Sequence, residues 1–88
     1  MNLSVKQSLF EIGLNPYEIT TYLNICDFVS QGVVNLAELK QSISKRINVS
    51  ESTLMPFILT LQGRKLIKVD SKFNVSVSSD YVLVKKQI

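Results

Sequence analysis

Asn48–Val69, NVSESTLMPFILTLQGRKLIKV, is the stretch on which the reading of the chain turns. Leu54, Phe57, Ile58 and Leu61 recur at i, i+3, i+4 and i+7, which is one face of an α-helix. Ser50 or Ser52 can cap its start, since a side-chain oxygen there accepts one of the N–H groups that a helix leaves unpaired. Gly63 is expected just past its end, where a residue tolerant of positive φ continues the chain cheaply. Pro56 fits a helix that starts near Ser52, because it then falls in the opening turn, where its missing N–H costs little. From Leu66 to Val69 the pattern changes to that of a strand.

Downstream, Ile67 and Val69 alternate with Lys68 and Asp70, and Phe73, Val75 and Val77 alternate with Asn74, Ser76 and Ser78. Period two on both sides of residues 70–72 predicts a hairpin with one apolar face. The tail Tyr81–Val84 is β-branched and reads as a third strand, with a C-terminal helix as the alternative.

Upstream, Val5, Leu9 and Ile12, with Phe10 beside them, predict a first helix over residues 3–12 that Gly13 ends. Asn15-Pro16-Tyr17-Glu18 opens a second helix with three signals at once: an asparagine cap, a proline at the first helical position and a capping-box acid. Ile19, Tyr22, Leu23 and Cys26 form its stripe to about Val29. Val33-Val34 reads as a very short strand, and Asn35-Leu36-Ala37-Glu38 repeats the capping spacing to open a third helix that ends at Ile47. Asn48 suits a left-handed terminal residue, so residues 47–50 predict a tight helix-to-helix turn.

The 88 residues are 45% hydrophobic, enough for the core of a single domain over 1–88 and too apolar for disorder. The N-terminal residues lack a signal-peptide pattern, and no run approaches the roughly 18 apolar residues of a membrane span. A cytoplasmic protein is expected. Histidine is absent and Cys26 is the single cysteine, which leaves no zinc ligand set and no usual base for nucleophilic catalysis. The seven carboxylates are scattered and no Gly-rich phosphate loop occurs. The chain therefore reads as no enzyme, with no catalytic residue, no metal site, no cofactor and no identifiable small-molecule effector.

Charge is distributed unevenly. Residues 1–44 carry two lysines against four carboxylates, net −2, whereas residues 45–88 carry eight cations against three carboxylates, net +5. A basic half that also holds the central helix is the footprint of a polyanion partner; a solvated surface that keeps the chain soluble is the bland alternative.

The order helix, helix, short strand, helix, helix, hairpin is that of a winged helix-turn-helix: an α+β, mainly α fold of about four helices with a C-terminal β-hairpin wing. Two segments resemble the archaeal TrmB-like transcriptional regulators. Ile12-Gly13-Leu14-Asn15-Pro16-Tyr17-Glu18 is similar to that family's Gly-Leu-Thr-x-Tyr-Glu pattern, and Tyr22-Leu23 matches a Tyr-Leu further along the same helix. Asn48-Val49 through Leu66-Ile67 is similar to its Gly-Val, helix, Leu, basic-turn, Gly-Leu-Val run. The resemblance implies a double-stranded DNA partner, often bound by dimers, with the helix over about 51–62 in the major groove. The appended effector domain of many such regulators does not fit in 88 residues. The chain departs from the family where it carries Pro56 and Leu59 on the outer face of that helix.

On this reading Ser52, Thr53 and Met55 face base edges, and Ser50 with the helix N-terminus takes a phosphate oxygen. Lys45 and Arg46, at the end of the preceding helix, and Arg64, Lys65, Lys68 and Lys72 along the wing are the expected phosphate contacts, which set register without carrying sequence information. A homodimer would form through the first helix or the Tyr81–Ile88 tail. The outer face Ser52, Met55, Pro56 and Leu59 is apolar for a reading helix. It keeps open an alternative: a protein-docking module within a transcription, replication or membrane-remodelling assembly.

Overall fold

A computed structural model describes residues 3–84. Its elements are β1 (Leu3–Val5), a 3₁₀ turn (Gln7–Glu11), α1 (Pro16–Ser30), α2 (Leu36–Ile47), α3 (Glu51–Gly63), β2 (Ile67–Val69), β3 (Val75–Val77) and β4 (Val82–Val84). The fold is α+β. Three α-helices, not four, occur among the described residues, and the expected fourth is α3.

The difference lies at residues 3–12. Leu3–Val5 pairs antiparallel with β4, Leu3 opposite Val84 and Val5 opposite Val82, and the Lys6 amide donates to the Tyr81 carbonyl at 2.8 Å. Only five residues then remain for a 3₁₀ turn, which buries Leu9 and leaves Phe10 exposed. The expected tail strand forms as β4, while residues 85–88 lie outside the described residues.

The other helices start where the sequence places them. Asn15 and Glu18 form the reciprocal box, each side chain 2.8 Å from the other's backbone nitrogen. The Asn35 side chain accepts from the Ala37 and Glu38 amides, and the Ser50 side chain accepts from Thr53. Asn48 closes α2 in the left-handed region at φ 55°, and three residues later α3 begins.

Two features of α3 differ from expectation. The helix starts at Glu51, as the expected range of about 51–62 has it, but Pro56 then lies past the first turn rather than in it. Its ring deletes a backbone hydrogen bond at a typical cost of about 3 kcal/mol. Pro56 faces outward, so water can reach the carbonyl left free. Gly63 is the last helical residue and does not take positive φ; Lys65 does, at 62°. The Leu66 amide bonds the Leu61 carbonyl and the Lys65 amide bonds that of Gln62, which is a Schellman ending. This register drives Leu66 into the core.

The core joins all three helices and the hairpin. Tyr22, Ile25 and Cys26 of α1 meet Leu39 and Ile43 of α2, and Leu54, Ile58 and Leu61 of α3. Leu9, Leu66, Ile67, Val75 and Val82 complete it. Truncating one such leucine to alanine typically costs about 2–5 kcal/mol. The hairpin pairs Ile67 with Val77 and Val69 with Val75. On its other edge β3 is held by the segment ahead of α2: the Val75 amide donates to Val34, the Leu36 amide to Phe73, and Asn35 bridges Asn74. Val33-Val34 forms no strand of its own; the contact is this single bridge. No helix among the described residues is long and apolar enough to cross a membrane.

Candidate nucleic-acid interface

The start of α3 is an open hydroxyl cluster. Ser50, Ser52 and Thr53 are all exposed, and the Ser50 Oγ lies 3.1 Å from that of Ser52 and 2.7 Å from the Thr53 Oγ1. Ser50 also accepts the Thr53 amide at 3.2 Å, so its oxygen is partly spent on the cap. Around the helix, Ser52, Pro56 and Leu59 point to solvent, with Leu59 57% exposed. Met55 is half-buried against the core, which removes it from the outer row in which the sequence places it.

The six basic residues of the expected interface separate into two kinds. Both arginines are engaged in the fold. Arg46 Nη1 lies 2.6 Å from Asp27 Oδ2, donates to Asn24 Oδ1 at 3.3 Å, and its guanidinium sits 3.9 Å above the Phe28 ring. Asp27 and Asn24 are buried on α1, so Arg46 is the counter-charge that allows a carboxylate there. Arg64 donates to the carbonyl of Ile12, tying the end of α3 to the approach to α1.

The lysines are exposed. Lys45 stands in the last turn of α2, Lys65 at the Schellman turn, Lys68 on the outer face of β2 opposite Ser76, and Lys72 in the hairpin turn. Among the described residues none of them joins an ion pair. Lys65 and Lys68 share a depression of about 440 Å³ with Ser76, Ser78 and Asp80. Two cations and three serines, Ser79 being the third, line one hollow and can take an anionic oxygen, with Asp80 as a negative neighbour in the same lining. The serines escape a reading of the sequence because only strand register shows that Ser76 lies across from Lys68. Their signal is the serine-rich alternation of residues 74–79.

Beside α3, a second hollow of about 440 Å³ is lined by Tyr17, Ile47, Val49, Thr53 and Phe57. Its walls are mostly apolar, and Tyr17 stacks on Phe57 with centroids 6.0 Å apart and planes 9° apart. Cys26 plays no part in either hollow. Burial pushes its thiol up to about 11, and the neighbouring Tyr22 hydroxyl is also raised by burial. A buried thiol held in its neutral form is packing material. No cluster of three or more metal-ligating side chains occurs among the described residues.

No family model, curated protein or solved structure matches the chain.

Proposed function

We propose that the chain is a small duplex-DNA-binding module of the winged helix-turn-helix class, used in transcription regulation. In this reading α3 enters the major groove with Ser52 and Thr53 toward base edges, while Lys45, Lys65, Lys68 and Lys72 hold phosphates. One observation carries it: the start of α3 presents exposed hydroxyls, and Lys45, Lys65, Lys68 and Lys72 are exposed and join no ion pair among the described residues. Two further features support it. The Asn48 turn joins α2 to α3 as the motif requires, and β3 is held against the segment ahead of α2, which is the strand order of a winged helix. The likeness to TrmB-like regulators belongs to the same reading. Arg46 and Arg64 are also exposed, but each is bonded within the fold, so this reading puts the phosphate contacts first on the four lysines.

Titration of a labelled duplex against the protein at several salt concentrations tests this. Each neutralised phosphate adds about 0.9 to the log–log salt slope, so four lysines give a slope of about −3 to −4. Lys68→Ala should flatten it by about one unit. Absence of any mobility shift at low salt refutes the reading.

Leu59 and Pro56, exposed on the outer face of α3, favour a second reading in which that face docks a protein. A partner lost on Leu59→Ser, with duplex mobility unaffected throughout, would select it. A homodimer would use the open edges of the β1–β4 pair, since residues 3–12 hold no α-helix; sedimentation of the full chain measures it.

A further inference from the structure

The hairpin turn holds a side chain that its backbone disfavours. Residues 70–74 read Asp-Ser-Lys-Phe-Asn, and Phe73 sits at φ 61°. Left-handed backbone at such a turn is the place of glycine or asparagine; an aromatic residue there is an outlier. The conformation is enforced from several sides. The Phe73 amide donates to the Asp70 carbonyl at 3.0 Å, and the Phe73 carbonyl accepts from the Leu36 amide at 2.9 Å. The Asp70 side chain accepts from the Lys72 and Asn74 amides at 2.8 and 2.9 Å. None of these bonds uses the Phe73 side chain, and glycine would make all of them. Yet the ring is 63% exposed and is not part of the core or of its partly buried margin. The fold bears a cost for a side chain that it does not pack.

We infer that Phe73 is an apolar wedge presented by the hairpin turn to the bases of a bound duplex. The inference deepens the DNA reading above and rests on it. Lys72 is its neighbour in sequence, and Lys68 projects from the same hairpin, so phosphate contacts would bring the ring against the groove. Phenylalanine is among the residues that partly unstack a base step when pressed into a groove. The one carboxylate of the turn, Asp70, is occupied by the two backbone amides. Asp70 keeps its charge, and residues 67–77 carry Lys68 and Lys72 against it, a net +1 that favours a polyanion over a basic surface.

The test separates stability from binding. Phe73→Gly relieves the backbone and should raise Tm by about 5 °C. It should also weaken duplex affinity about tenfold, the scale of losing one stacked aromatic contact. Because the ring carries no charge, the salt slope should stay unchanged, whereas Lys72→Ala should flatten it by about one unit. Phe73→Trp keeps an aromatic wedge and introduces the sole tryptophan of the chain. It should bind as the parent does, with its indole emission quenched on addition of duplex. A parent that binds duplex while Phe73→Gly binds equally well overturns the wedge alone. So does indole emission of the Phe73→Trp variant that is indifferent to bound duplex. A lower Tm in Phe73→Gly would make the ring part of the fold and also overturn it. A parent that binds no duplex overturns the DNA reading, and the wedge with it.

Discussion

The turn between α2 and α3 and the hairpin that follows α3 solve the same backbone problem with different residues. Each needs left-handed φ at a non-glycine position. The inner turn uses Asn48, a residue type that tolerates that region. The hairpin side uses Lys65 and Phe73, which do not, and both side chains are exposed. The basic residues follow the same division. Arg46 is paired with Asp27, while Lys65, Lys68 and Lys72 join no ion pair among the described residues. One region is composed for stability, and the other keeps residues that stability alone would not select.

Arg46→Ala is the strongest way to break this contrast. It strands the buried Asp27 carboxylate and removes the cation from Phe28. The expected loss is about 2 kcal/mol, below the usual figure for a buried pair because the Arg46 side chain is 36% exposed. Thermal or urea unfolding measures it, and the salt slope of duplex binding should not move. A flattened slope with unchanged stability would return Arg46 to the interface.

Substitutions at the two kinds of left-handed position should have opposite signs. Asn48→Ala should destabilise by about 1 kcal/mol, because alanine resists the left-handed region. Lys65→Gly should stabilise by about 1 kcal/mol for the same steric reason, and should flatten the salt slope by about one unit. Equal signs in paired urea unfolding curves would erase the distinction between the regions.

The smallest effect probes the inner region through Cys26. Its thiol is raised from 9.0 to about 11 by burial, so the folded state prefers the protonated form. A raised folded value means that the contribution is complete below pH 9 and is lost as pH climbs towards 11. The stability difference between the parent and Cys26→Ala should be flat below pH 9 and shrink above it. Thiol reagents should label Cys26 only as the protein unfolds. Fast labelling of the native state would mean that α1 opens locally.

What is legible in the sequence is local. The Asn15–Glu18 box, the Asn35 and Ser50 caps and the left-handed Asn48 each depend on residues within four positions, and each appears in the structure. What fails depends on distant partners. Val5, Leu9 and Ile12 have a helical spacing, but Leu3–Val5 is claimed by a strand nearly the whole chain away. Gly63 has the composition of a terminal residue for α3, but the need to bury Leu66 moves the left-handed position to Lys65. The capture of Arg46 by Asp27 spans 19 residues and that of Arg64 by Ile12 spans 52, so neither arginine can be told from an exposed lysine by pattern.

The pairing of Leu3 with Val84 gives the module a useful geometry. The polypeptide comes in and goes out at neighbouring points, so the unit is close to a closed ring. A module of this shape can be spliced into a surface loop of a host protein without prising the host apart. It can also be permuted, joining residues 3 and 84 by a brief linker and cutting at the exposed Gln31–Gly32 turn instead.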